Sequence, residues 1–109
     1  MRKVFLLFTL LFSTTLYSQD CTELVVNMYD SYGDGWNGNY LEVAGQSITL
    51  EQGYEGIDTI CVDLEQCNYI IVDGGSWQTE VSWSIDTLLF GGAPYQGVLT
   101  TVMDCGPPV

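Results

Sequence analysis

Beyond its first eighteen residues the chain is written in short apolar runs of period two, each closed by Gly, Pro, Asn or Asp. No 3.6-residue period persists long enough for a helix. Residues 79–86 give the cleanest case: Val81, Trp83 and Ile85 point one way, and Glu80, Ser82, Ser84 and Asp86 the other. Strands are expected at 23–29, 39–43, 46–50, 57–63, 67–73, 79–86, 88–90 and 97–103. Ala44-Gly45 reads as a turn, Leu64-Glu65-Gln66 as the tip of a hairpin, and Gly74 to Trp77 as an exposed loop. Eight short strands with turn signals every eight to twelve residues predict an all-β fold. We expect a two-sheet antiparallel sandwich, jelly-roll-like. Apolar positions from Leu24 and Val26 through to Val98 and Val102 would fill the space between its sheets.

One inter-strand stretch is chemically denser than the rest. Asp30-Ser31-Tyr32-Gly33-Asp34-Gly35-Trp36-Asn37-Gly38-Asn39 holds two carboxylates, two side-chain amides and three glycines within ten positions. Glycine permits positive φ and tight turns, so carbonyls and side chains can converge on one point. Converging oxygens, six to eight of them with carbonyls included, are what calcium takes. The spacing matches the first half of an EF-hand loop and then departs from it. Tyr32 stands where a ligand belongs, Leu41 stands where the closing Glu belongs, and no helix flanks the loop. We therefore reject the EF-hand and retain the cation. The candidate calcium set is Asp30, Asp34, Trp36, Asn37 and Asn39, with Glu80 approaching from the start of a later strand. The plainer reading is an Asx/Gly turn plugged by Trp36, with Glu80 and Asp73 as ordinary strand and loop carboxylates.

The amino terminus has the form of a secretory signal peptide: Arg2 and Lys3, then an apolar run over 4–12, then a small and polar segment to Ser18, after which cleavage is expected. The apolar run is too short for a lasting membrane anchor. Ser18-Gln19-Asp20 makes a poor lipobox before Cys21, so an exported chain without membrane insertion is expected. Cleavage removes both basic residues and takes the net charge from −12 to −14, with no Lys, Arg or His left. Such a surface repels nucleic acid and anionic membranes, and bound cations would relieve its self-repulsion. The abundance of Val, Ile, Leu, Tyr and Trp sets it apart from a disordered acidic tail.

About ninety residues remain for one domain, residues 19–105, whose small core benefits from staples. Four cysteines in an exported chain point to two disulfides, for which three pairings exist. We favour Cys61–Cys67 around a short turn and Cys21–Cys105 tying the ends. A zinc site is disfavoured by the absence of His and of any Cys-x-x-Cys pair. Residues 106–109 read as the start of a linker, which fits either one module of a longer surface assembly or a short relative of such a protein.

The run Asp30 to Gly38, with Gly33-Asp34-Gly35-Trp36 at its centre, resembles the signature of a module of large secreted and surface proteins, notably of Gram-negative bacteria that use type IX secretion. Two further runs, Gly75-Ser76-Trp77-Gln78-Thr79-Glu80-Val81-Ser82-Trp83 and Gly91-Gly92-Ala93-Pro94-Tyr95, are similar to the later segments of those modules. The resemblance covers nearly all of Cys21 to Cys105. It implies an extracellular β-sandwich of the kind appended to enzymes or adhesins, and brings no catalytic residue.

Catalysis finds little support in the residue inventory. There is no His for a triad and, after the signal, no Lys nucleophile. A carboxylate pair could hydrolyse glycosides, but a domain this small rarely forms the cleft required. The expectation is a calcium-stabilised binding or adhesion module for an extracellular glycan or protein, and not an enzyme. The alternative is a domain whose calcium and disulfides only hold it together. Trp36, Tyr40, Trp77 and Tyr95 sit in or beside loops and are the candidate ligand-stacking faces, the plainer reading of each being core closure at an end of the sandwich.

Overall fold

A computed structural model describes residues 21–102 and 104–107. The expected signal peptide and the last two residues of the expected tail lie outside the described residues. Eight strands run in chain order: β1 (Thr22–Asp30), β2 (Tyr40–Val43), β3 (Gln46–Ile48), β4 (Glu55–Val62), β5 (Asn68–Asp73), β6 (Val81–Ile85), β7 (Leu89–Gly91) and β8 (Tyr95–Leu99). They form two four-stranded antiparallel sheets, ordered β4-β1-β6-β7 and β3-β2-β5-β8. The expected jelly-roll-like sandwich is what the chain forms. Its tight hairpins are β2–β3 and β6–β7, and the remaining connections cross from one sheet to the other. Ala44 and Gly45 close β2–β3 with φ of 51° and 76°, the mirror-image turn that matches strand twist.

Period-two alternation becomes burial strand by strand. Leu24, Val26 and Met28 of β1, Leu41 and Val43 of β2, Ile60 and Val62 of β4, Ile70 and Val72 of β5, and Val81, Trp83 and Ile85 of β6 all lie between the sheets. Burying a side chain of this size contributes roughly 1.5–3 kcal/mol, so this layer is the main source of stability. Trp36 and Leu50 plug one end of it from the connections. In β8 the fully buried residue is Leu99; Val98 is half-buried and Val102 exposed, lying beyond the strand. The last strand is thus shorter than expected, and the chain beyond it is held by Thr101 N–H donating to the Leu64 carbonyl at 2.7 Å.

Two sequence expectations are corrected together. Residues 57–73 are not a hairpin, because β4 and β5 belong to different sheets. The segment between them is a crossover, and Cys61 and Cys67 are carried to different layers. The bridges are Cys21–Cys61 and Cys67–Cys105, with Cα separations of 5.3 and 5.8 Å. Strand register explains both. Glu23 pairs with Cys61, which brings Cys21 alongside β4. Asn68 pairs with Leu99, which returns the chain after β8 to the start of β5. Two disulfides suit an oxidising compartment. Among the described residues no helix is long and apolar enough to cross a membrane.

Candidate metal centre

Three crossovers meet at one end of the sandwich. The β1–β2 connection leaves at Asp30 and re-enters at Tyr40. Asp30 pairs with Val81 and Tyr40 with Asp73, so the β5–β6 connection runs beside it, from Asp73 to Val81. Tyr29 pairs with Glu55, which brings the β3–β4 connection to the same end. Backbone hydrogen bonds join the three: Ser31 N–H to the Glu80 carbonyl at 3.1 Å, Asp30 N–H to Tyr54 at 2.8 Å and Trp36 N–H to Leu50 at 2.9 Å. Asp30 and Glu80, far apart in sequence, are thereby fixed next to each other.

Asp30 is the organising carboxylate. It is 2% exposed. Its Oδ2 accepts the N–H groups of Gly33, Asp34 and Gly35 at 2.7, 2.7 and 3.0 Å. Burial works to raise its pKa, but these amides outweigh burial and hold the carboxyl below the usual aspartate value. The loop wraps this tightly because Gly35 takes φ +84°; a Cβ there would meet the Glu51 carbonyl oxygen at 2.6 Å.

Carboxylate oxygens of Asp30, Asp34 and Glu80 lie within 4.8 Å of one another. Asp30 is buried, Glu80 half-buried and Asp34 exposed. Partial burial, and then the charges of Asp30 and Asp34, push the Glu80 carboxyl above its usual value. Among the described residues the buried side-chain polar atoms without a hydrogen-bond partner are Asp30 Oδ1, Glu80 Oε1 and Asn37 Oδ1. Two of the three belong to this cluster. Buried carboxylate oxygens are costly unless paired or bound to a metal. Among side chains the sequence offers no cation after Lys3 to pair them.

The other expected ligands divide. Asn37 is tied to the cluster, its Nδ2 donating to Asp34 Oδ2 at 3.2 Å. Asp34 lines two clefts at once, one shared with Asn37 and one shared with Glu80. Asn39 is not available as a ligand. It is fully buried, and its Nδ2 donates to the carbonyls of Trp36 and Ser76, both at 2.8 Å. Its Oδ1 accepts from Gly75 N–H and Gln78 Nε2, both at 2.9 Å. Asn39 is the rivet between two crossovers. The Trp36 carbonyl already receives Asn39 N–H and Nδ2, which argues against its place in the metal set. Asp73 is likewise occupied. Hydrogen bonds from Gln78 Nε2 at 2.7 Å and Gly74 N–H at 2.8 Å keep its carboxyl below the usual value.

The expected stacking aromatics divide as well. Trp36 is fully buried, with Nε1 donating to the Tyr29 carbonyl at 2.9 Å, and presents no face to solvent. Tyr95 packs on the core, edge-on to Trp83 with ring centroids 5.0 Å apart. Tyr40 is half-buried beside the cleft that Asn37 lines. Trp77 stays outside, 65% exposed, in the left-handed conformation at φ 54°. With Tyr32, 70% exposed, and with Asp34 and Glu80, it lines a cleft of about 240 Å³. Tyr32 is the cleft residue that sequence reasoning misses: in the linear chain it stands out only as a failed metal ligand.

Comparison with family models, with curated proteins and with solved structures gave no match.

Proposed function

We propose that the chain is an exported, calcium-dependent binding module, with Asp30, Asp34 and Glu80 as the ion's carboxylate ligands and Asn37 beside them. The observation that carries this reading is the pair of unpartnered buried oxygens, Asp30 Oδ1 and Glu80 Oε1, within a cluster of three carboxylates. An all-oxygen donor set of this charge suits a hard cation. Calcium fits better than magnesium because loop and strand ligands at unequal burial make an irregular site, whereas magnesium demands a near-ideal octahedron. The signal-like amino terminus, the two disulfides and the resemblance of residues 30–38 to modules of surface proteins support export. The partner is an extracellular glycan or protein, and the role is binding or adhesion rather than catalysis.

Calorimetric titration of calcium into the decalcified mature chain is expected to give one ion per chain. Glu80→Gln is expected to weaken binding at least about tenfold, the loss that accompanies about 1.4 kcal/mol. A titration without heat, or unaltered binding by Glu80→Gln, would refute the assignment.

A further inference from the structure

We propose that the cleft between Tyr32 and Trp77 takes a neutral glycan whose vicinal hydroxyls bind the calcium directly, an inference that rests on the calcium assignment above. Three features of the cleft carry it. The first is what lies at its walls and floor: two exposed aromatic rings and two of the three clustered carboxylates, all lining the same 240 Å³. Asp30 Oδ2 is taken up by backbone amides. The three side chains would therefore leave positions of a six- to eight-coordinate ion to other oxygens, and Asp34 and Glu80, which line the cleft, would bring the ion to its edge.

The second feature is how Trp77 is held. A bulky residue in the left-handed region is strained, and such strain clusters at ligand sites. Gln78, the next residue, is pinned by hydrogen bonds to Asn39 Oδ1 and Asp73 Oδ1. The Trp77 carbonyl accepts Glu80 N–H at 3.0 Å. The same short turn that delivers Glu80 to the ion thus fixes Trp77 outward. A large indole is kept in water although Trp36 and Trp83 of the same chain are buried.

The third feature is size and charge. The cleft is smaller than the roughly 300–1,000 Å³ typical of drug-sized ligands, which suits one sugar ring with the remainder in solvent. A pyranose has an apolar face for an aromatic ring and paired hydroxyls for an ion. The surrounding carboxylates, unaccompanied by any basic side chain after Lys3, disfavour anionic sugars. A protein partner would need about 800 Å² of contact per side, far beyond what two aromatic rings present.

The test uses the mature chain with polyvalent mannose, galactose and fucose conjugates, in calcium and in chelator. At least one conjugate is expected to bind in calcium and to be released by chelator. Of the three tryptophans only Trp77 is exposed, so the bound sugar is expected to protect the intrinsic fluorescence from acrylamide quenching. Trp77→Ala and Tyr32→Ala are each expected to weaken binding more than about tenfold, as truncating a central aromatic does, while keeping the parent's calcium-induced rise in Tm. If calcium raises Tm but no conjugate binds, the glycan inference is overturned and the calcium site stands. If calcium does not raise Tm, both are overturned. Binding that survives chelator, survives Trp77→Ala, or is found only with a protein ligand also overturns the inference.

Discussion

Asn39, at the end of the β1–β2 connection, and Glu80, at the end of the β5–β6 connection, act on the same end of the sandwich in opposite ways. The Asn39 side chain spends its whole hydrogen-bonding capacity on Trp36, Gly75, Ser76 and Gln78. Asn39→Ala leaves buried partners unpaired, at about 1–3 kcal/mol for each such group. We expect a loss of about 3 kcal/mol, the same in chelator and in calcium, measured by urea unfolding. Glu80 does the reverse. Without a cation it adds a like charge beside Asp30 and Asp34. Glu80→Gln is therefore expected to raise Tm in chelator and to remove about half or more of the rise that calcium gives the parent. The convergence of Asp30 and Asp34 is legible in the sequence because it rests on local glycine spacing. The role of Asn39 is not, because its partners at 75–78 are nearby only in the fold. For the same reason the sequence leaves Trp36 open between plug and stacking face: a loop tryptophan shows its burial only once the β3–β4 connection closes over it.

At the scale of elements, alternation finds all eight strands, since one face of each is covered and the other is not. Gln78–Glu80, however, forms a 3-10 turn, and Glu80 precedes β6 instead of starting it. Alternation does not tell which strands share a sheet. A short connection serves a hairpin or a crossover equally well, and 63–67 proved to be a crossover. That single difference reassigned both disulfides. It also changes their energetics. The bridges span separations of 40 and 38 residues, so the chain-entropy argument gives about 4 kcal/mol for each. Paired serine substitutions, Cys21→Ser with Cys61→Ser and Cys67→Ser with Cys105→Ser, are expected to lower stability by similar amounts. A loss at one bridge several times that at the other would contradict the equal-loop account. Gln46 supports one of them. Its side chain donates to and accepts from the Cys61 backbone at 2.7 and 2.9 Å, clasping the β3 and β4 edges across the sandwich.

The whole molecule is a negatively charged shell around a thin apolar layer. Sodium chloride will stabilise it by screening, so a calcium effect counts only at matched ionic strength. Extracellular modules bind calcium with Kd of about 10⁻⁴–10⁻³ M. At a hundredfold excess over Kd, linkage adds about 2.7 kcal/mol, which for a domain of this size is a Tm shift of about 10 °C or more. The most direct measurement is the thermal unfolding of the mature chain in chelator, calcium and magnesium, beside Asp34→Ala. We expect calcium to raise Tm by about that amount, magnesium to do far less, and Asp34→Ala to lose most of the response. Equal Tm values in the three solutions, or an Asp34→Ala variant that responds like its parent, would contradict a calcium site built by Asp30, Asp34 and Glu80.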